Sequence, residues 1–151
     1  MARNRMRALA DPIVDVMSVS PDGQWLAVQA STAVDGVQRP VVLYPLHGRG
    51  PTIALCASCF VSWLPAVPGL QIRFGSVSDA NERRTYILPI PAGQLLPAVF
   101  TGNRLVSESE VARAPGVRVV SQGFVSFGPD PDTFVYTKTT VHRNLFRIPL
   151  D

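Results

Sequence analysis

Runs in which apolar and polar residues take turns are separated along this chain by short segments rich in proline, glycine and aspartate. The clearest example is SVSPDGQWLAVQAS, residues 18–31. Alternation with a period of two on both sides of a proline-led turn predicts a β-hairpin. Within that turn Pro21 fixes φ, Asp22 is suited to bond the local backbone, and Gly23 tolerates a positive φ. We therefore expect these three residues to have a structural role.

The hairpin pattern returns twice in weaker form, as VSWLPAVPGLQIRFGS (61–76) and VSFGPDPDTFVYTK (125–138). The first two hairpin prolines, Pro21 and Pro65, lie 44 residues apart. Both later turns depart from the first, because the second lacks the Asp-Gly pair and the third has proline in place of glycine.

A second landmark gives the same spacing independently. An apolar residue followed by proline and then leucine or isoleucine occurs in VVLYPLHG, TYILPIPAG and NLFRIPLD. In the first two, Pro45 and Pro89 are again 44 residues apart. Two landmarks with one spacing predict a repeat of about 44 residues, the length of a four-stranded propeller blade.

This repeat predicts an all-β fold, a partial β-propeller of about three four-stranded antiparallel blades in a single domain over 1–151. The predicted parts are the outer strand of a preceding blade at 5–10, blades at 14–56 and 59–100, and a last blade at 119–150 without its outer strand. The predicted strands lie near 14–20, 25–32, 39–46 and 51–56, then 59–64, 69–75, 84–90 and 94–100, and finally 119–127, 132–138 and 143–150.

The third copy comes 20 residues later than the spacing requires, at Pro129. The excess is explained by SESEVARAPG, residues 107–116, in which Ser107 and Glu110 have capping-box spacing and a Pro-Gly pair follows. We expect this insertion to lie between blades, and two interpretations of it stay open: a short helix or helical turn, and a polar loop.

The Ser18–Gly23 turn, the Trp25–Val28 strand after it and the RALADPIVDVM segment before it resemble the TolB-type β-propeller repeat, a WD-like bacterial blade. The ending VYTKTTVHRNLFRIPL (135–150) is similar to the last blade of that family. The resemblance implies a non-catalytic protein-interaction or sensing module. It leaves open a regulatory C-terminal propeller of a bacterial serine/threonine kinase or winged-helix regulator, and, more weakly, the propeller part of a peptidase.

About three blades are fewer than a closed propeller normally has, and an open array leaves its terminal faces uncovered. We therefore expect a piece of a longer protein, or self-association through open blade faces. The residues expected to need partner sheets are Leu26, Val28, Val42, Tyr44, Val135 and Phe146.

A signal peptide needs an apolar centre, and the corresponding segment is interrupted here by Asp11, Pro12 and Asp15. We therefore expect a cytoplasmic chain as written, or a periplasmic or extracytoplasmic one if it belongs to a larger exported or membrane protein.

Composition agrees with many short elements joined by turns. The chain has 151 residues, is 46% hydrophobic and contains 14 prolines and 11 glycines. Its formal charge of +3 is spread along the chain apart from Arg3, Arg5 and Arg7, so we expect no nucleic-acid partner. No apolar segment is long enough for a transmembrane helix, so we expect no membrane segment.

Candidate chemistry is sparse. Cys56 and Cys59 form a C-x-x-C motif, but no second pair of metal ligands follows it. The two histidines, His47 and His142, have no partner nearby. We therefore interpret the cysteines as small structural residues between blades and expect no metal. The nucleophile elbow, the phosphate-binding loop and the kinase signatures are all missing, so we predict no catalytic residue and no cofactor.

Loops on one face of a propeller are its usual binding surface. The loop residues best suited to an acidic protein partner are Arg83, Arg84, His142 and Arg143. The alternative is that these side chains are simply solvated.

Overall fold

In a computed structural model of the chain, the described residues are 12–47, 50–75, 84–122, 125–128 and 132–136. Over these residues the fold is all-β, as predicted, with antiparallel sheets of four, four and two strands. The predicted strands at 5–10 and 143–150 lie outside the described residues.

The first sheet is a four-stranded meander. Its strands pair in chain order: β1 (Ile13–Val19), β2 (Trp25–Ala30), β3 (Val41–Pro45) and β4 (Ile53–Cys56). The predicted Pro21-Asp22-Gly23 segment forms the β1–β2 turn, where Gly23 takes a φ of 68°. Because this conformation costs a residue with a Cβ, the glycine suits the turn.

The second sheet has the same order, and its strands are β5 (Cys59–Trp63), β6 (Gly69–Phe74), β7 (Thr85–Pro89) and β8 (Arg118–Val120). A short 3-10 helix (Ala98–Phe100) and a helix α1 (Glu108–Ala112) lie between β7 and β8. The third sheet is a hairpin of β9 (Val125–Phe127) and β10 (Phe134–Tyr136). Of the two interpretations of 107–116, the structure therefore has the short helix.

The pairing register repeats at the predicted spacing. In the first sheet Trp25 pairs with Pro45, and 44 positions later Gly69 pairs with Pro89, with every β2–β3 pair matched by a β6–β7 pair. The turn hydrogen bonds repeat as well: the N–H groups of Ser20, Leu64 and Gly128 donate to the carbonyls of Trp25, Gly69 and Thr133. The third bond is displaced by the 20 residues seen in the sequence.

The predicted strand at 94–100 is wrong, and so is the continuous strand at 119–127. The fourth strand of the second sheet is β8, beyond the insertion, and β9 starts a separate sheet. The insertion therefore lies inside the second sheet, between β7 and β8, and the predicted position between blades is wrong. The physical reason is Pro97, which begins the 3-10 helix and has no N–H for a β-ladder.

One hydrophobic core joins the two large sheets. From the first sheet it takes Ala27, Val41 and Leu43, and from the second sheet Val61, Leu70 and Leu88. Strand β1 packs beside β5, where the Ser18 hydroxyl donates a hydrogen bond of 3.2 Å to the Val61 carbonyl. The first and second sheets therefore meet face to face, with their first strands adjacent.

The other face of the first sheet is also apolar. Val28, Val42 and Tyr44, which we expected to need a partner sheet, are buried there in a separate cluster. Val135 on β10 is 69% exposed, and Phe146 lies outside the described residues. Self-association through open faces stays a prediction.

The insertion in the second sheet covers the outer edge of the first. The Ala54 N–H on β4 donates to the Asn103 side-chain oxygen at 2.8 Å, and the Val106 N–H donates to the Leu55 carbonyl. Edge strands that stay unpaired invite unwanted pairing, so this cover protects β4.

Candidate functional site

A cleft of about 440 Å³ lies between the second sheet and β9, and we take it as the candidate site. Its floor is made by two cross-strand pairs of β5 and β6, Phe60 with Arg73 and Ser62 with Gln71. These four residues share the sheet face opposite the common core, because paired residues point to the same side. The rest of the lining is Trp63, Leu64, Pro65, Val125, Ser126 and Phe127.

Arg73 brings a positive charge to this cleft. Its guanidinium carbon lies 5.0 Å from the centre of the Phe60 ring, the geometry of a cation–π contact. The described lining contains no aspartate or glutamate. The described lining therefore places a guanidinium group against an aromatic ring.

Gln71 connects the cleft to β9. Its side-chain Nε2 donates a hydrogen bond of 3.0 Å to the Val125 carbonyl, and the residue is only 6% exposed. Its side-chain oxygen, Oε1, accepts no hydrogen bond from the described residues. A buried amide oxygen without a donor is unfavourable, so this atom is suited to receive one from a bound molecule.

The sequence-predicted binding loops coincide only in part with the described residues. Arg84 is exposed and immediately precedes β7. Arg83, His142 and Arg143 lie outside the described residues. The pKa of Tyr86 is raised, mainly by burial and then by the hydrogen bond of its hydroxyl to Glu108. The positive charge of Arg84 acts in the opposite direction and lowers this pKa.

The three turn residues make a local network instead of a ligand site. The Asp22 carboxylate accepts hydrogen bonds from the Ser20 hydroxyl (2.5 Å) and the Gln24 N–H (3.0 Å). These bonds hold the pKa of Asp22 below its usual value. The Ser20 hydroxyl oxygen in turn accepts a bond from the Trp25 N–H, so this end of the hairpin is fixed by side chains.

Cys56 and Cys59 form a disulfide where β4 ends and β5 begins. Both cysteines are buried, and Ser58 between them has a left-handed φ of 49°. The cysteines lie between the two sheets, as the interpretation from sequence required, but that interpretation missed the bond. A C-x-x-C spacing alone does not decide between paired and free cysteines.

A second network fixes α1. The Glu110 carboxylate accepts hydrogen bonds from the N–H and the hydroxyl of Ser107 and forms an ion pair of 2.6 Å with Arg104. These contacts lower the pKa of Glu110 to about 2, with the Arg104 hydrogen bond as the largest cause. All of these contacts are exposed, and they serve the helix start.

Metal-binding clusters and membrane-spanning helices are both absent from the described part of the chain. No group of three or more histidine, cysteine, aspartate or glutamate side chains is arranged there to hold a metal ion. No helix within those residues combines the length and apolarity that a membrane span requires.

No family model matches the chain, and no match is found among curated proteins or among solved structures. The cleft was missed from sequence. The signal that could have pointed to it is Arg73, a charged residue inside the otherwise apolar strand LQIRF, cross-strand to an aromatic residue.

Proposed function

We propose that this chain is a partial TolB-like β-propeller that acts as a non-catalytic interaction or sensing module. The observation that carries the proposal is the pairing register, which recurs 44 residues on in the second sheet with the same strand order. A repeated four-stranded meander of this length is the unit of which propellers are built.

The packing of the sheets supports the same proposal. Adjacent blades bury their faces against each other and bring their innermost strands together around an axis. Here the first two sheets share one core, and the first strands of both, β1 and β5, lie side by side. The first sheet is apolar on both faces, as a sheet between two neighbours needs to be.

Binding is proposed to take place in the cleft between the second sheet and β9. Ligand sites favour concave surfaces that are mostly apolar and carry a few polar groups, and this cleft combines aromatic walls with Arg73 and Gln71. The propeller scaffold would hold β5 and β9 rigidly, so that the cleft keeps its shape between binding events.

Affinity capture with the full chain tests the binding function. The baits are the wild type, a Phe60→Ser/Phe127→Ser cleft variant and a Tyr136→Ser control, which removes an exposed aromatic ring outside the cleft lining. Co-purified proteins and small molecules are quantified by mass spectrometry. We expect at least one species to be retained by the wild type and the control and lost from the cleft variant.

Equal recovery from all three baits would contradict binding through the cleft, and no enriched species with the wild type would contradict the interaction function. Thermal unfolding of each bait ensures that a lost species does not reflect an unfolded variant. The propeller part has its own test, an experimental structure of the chain. It fails if β1, β5 and β9 do not surround a common axis.

A further inference from the structure

We propose that Asp35 is a covalent modification site, at which the exposed Asp35-Gly36 turn converts spontaneously to an isoaspartyl linkage. The chain has two Asp-Gly pairs, Asp22-Gly23 in the β1–β2 turn and Asp35-Gly36 between β2 and β3. The structure treats the two pairs differently. Neither Asp35 nor Gly36 lines the cleft, so this site is independent of the proposed binding function.

The reaction uses only groups of the chain and water. The backbone nitrogen of Gly36 attacks the side-chain carboxyl carbon of Asp35, a C–N bond forms, and the carboxyl hydroxyl leaves as water with the amide proton. Water then opens the five-membered succinimide ring. When the bond between the nitrogen and the backbone carbonyl carbon of Asp35 breaks, the main chain continues through the former side chain, and the former backbone carbonyl becomes a free carboxylate.

Both reacting groups are free at Asp35-Gly36. Among the described residues, no group donates a hydrogen bond to the Asp35 carboxylate, and the Gly36 N–H donates none. Both residues are exposed, and apart from the chain neighbours no atom lies within 4 Å of the position that a Gly36 Cβ would take. The nitrogen and the carboxyl group therefore approach each other without first losing a partner.

Both reacting groups are engaged at Asp22-Gly23. The Gly23 N–H donates a hydrogen bond of 2.8 Å to the Ser20 carbonyl, and the Asp22 carboxylate accepts bonds from the Ser20 hydroxyl and the Gln24 N–H. The bonds to the carboxylate also hold the pKa of Asp22 below its usual value, which reduces the uncharged form that is open to attack. The dipeptide is identical in the two places, so the difference in reactivity comes from the fold.

The backbone of the Asp35-Gly36 turn is also held by few bonds. Asp35 has a φ of 50° and Gly36 a φ of 77°, the pair of positive values typical of a type I′ hairpin turn. The left-handed conformation is unfavourable for Asp35, which carries a Cβ. This hairpin has the isolated bridge Val34–Val37, whereas the β1–β2 hairpin around Asp22 is paired along both strands. The Asp35 turn therefore opens locally to reach the geometry of ring closure while the sheet stays folded.

Ageing of the full chain at neutral pH tests the proposal, with isoaspartate located by peptide mapping and electron-transfer fragmentation. We expect it to accumulate at least about tenfold faster at Asp35 than at Asp22, because only the second site must first break hydrogen bonds. In guanidinium chloride, where both turns are unfolded, the two rates should agree within about threefold. Equal rates in the folded chain, or no isoaspartate at Asp35, would overturn the proposal. A tenfold difference that persists in denaturant would overturn its structural basis.

Two variants assign the reaction to its groups. Asp35→Glu keeps the charge but needs a six-membered ring, so isomerisation at position 35 should vanish while the rate at Asp22 stays the same. Ser20→Ala removes a donor to the Asp22 carboxylate and should raise the rate at Asp22 several-fold, with Asp35 in the same chain as the internal reference. An unchanged rate at Asp22 in Ser20→Ala would show that these hydrogen bonds do not protect it, and would overturn the contrast between the two turns.

Discussion

At the scale of single residues, the β1–β2 turn shows what side chains add to a backbone geometry. The turn hydrogen bond of Ser20 recurs at Leu64, where the Ser-Pro-Asp-Gly sequence is absent. The backbone shape therefore does not require those side chains. In the first copy, the hydroxyl of Ser20 and the carboxylate of Asp22 stabilise a turn that the second copy makes without them.

Asp22→Ala should lower the free energy of unfolding by about 1 kcal/mol at pH 7, because it removes acceptors for Ser20 and Gln24 at an exposed turn. Asp22→Asn, which keeps one acceptor oxygen, should cost less. The pKa of Asp22 is lower in the folded chain than in the unfolded one, so its charge-dependent contribution is complete above about pH 4 and declines as the pH falls through the folded value.

Urea unfolding at pH 7 and pH 3 measures both effects. The gap between the wild type and Asp22→Asn should narrow at pH 3, because the Asp22 carboxylate of the unfolded chain, with its ordinary pKa of 3.8, is mostly protonated there. A gap that is the same at both pH values would mean that the Asp22 charge does not stabilise the turn.

Sequence reasoning works at this scale when the partners are close along the chain. Pro21, Asp22 and Gly23 are identifiable because the turn closes within a few residues. Gln71 and Arg73 are different: their setting depends on β9, more than 50 residues away. The alternation of apolar and polar residues predicts which face of the sheet both residues occupy. It does not predict which element packs against that face.

At the scale of elements, the strands with repeat partners were predicted well and the insertion was not. β2 and β6 begin 44 residues apart, as do β3 and β7, so each copy supports the interpretation of the other. The segment 94–100 is apolar enough for a strand, but Pro97 removes a ladder donor and starts a 3-10 helix. The displaced fourth strand, β8, has three residues and little pattern of its own.

The insertion also contributes a specific cap to β4. Asn103 has a φ of 48°, so Asn103→Gly keeps the backbone conformation and removes only the side chain that accepts the Ala54 N–H. We expect a loss of about 1 kcal/mol in stability and faster hydrogen exchange at the Ala54 amide. Hydrogen exchange at the Leu88 amide, inside the second sheet, is the internal reference. An unchanged exchange rate at the Ala54 amide in Asn103→Gly would show that the cap is not formed in solution.

Glu110 makes the start of α1 sensitive to pH. Its pKa of about 2 in the folded chain is below the ordinary 4.5, so its stabilising contacts are complete above about pH 4.5 and are lost as the pH falls toward 2. The Ser107 amide signal in NMR spectra should therefore titrate with a midpoint near 2. The control is Glu110→Gln, which keeps an acceptor oxygen but carries no charge, and in this variant the titration of the Ser107 amide signal should vanish. A midpoint near 4.5 in the wild type would mean that the contacts of Glu110 with Ser107 and Arg104 are absent.

At the scale of the whole molecule, the important feature is that two repeats share one core. In a repeat array, stability is the sum of each unit's own stability and the interfaces between neighbours. Here the faces of both sheets contribute fully buried side chains to one cluster, so neither sheet keeps its core if the other unfolds. The disulfide between Cys56 and Cys59 further ties the end of the first sheet to the start of the second.

The shared core predicts that the two large sheets unfold together. Leu43 and Leu88 are fully buried in different sheets, and each change to alanine should cost about 2–5 kcal/mol. The chain has two tryptophans, Trp25 in the first sheet and Trp63 in the second, so single-tryptophan variants (Trp25→Phe and Trp63→Phe) report on one sheet each. Leu43→Ala should shift the urea midpoint reported by Trp63 fluorescence as much as the midpoint reported by Trp25 fluorescence. The control is Val19→Ala, at a half-exposed position of β1, which should shift both midpoints by little. If Leu43→Ala moved only the Trp25 transition, the sheets would be independent units, and the blade-to-blade packing on which the propeller proposal depends would be lost with them.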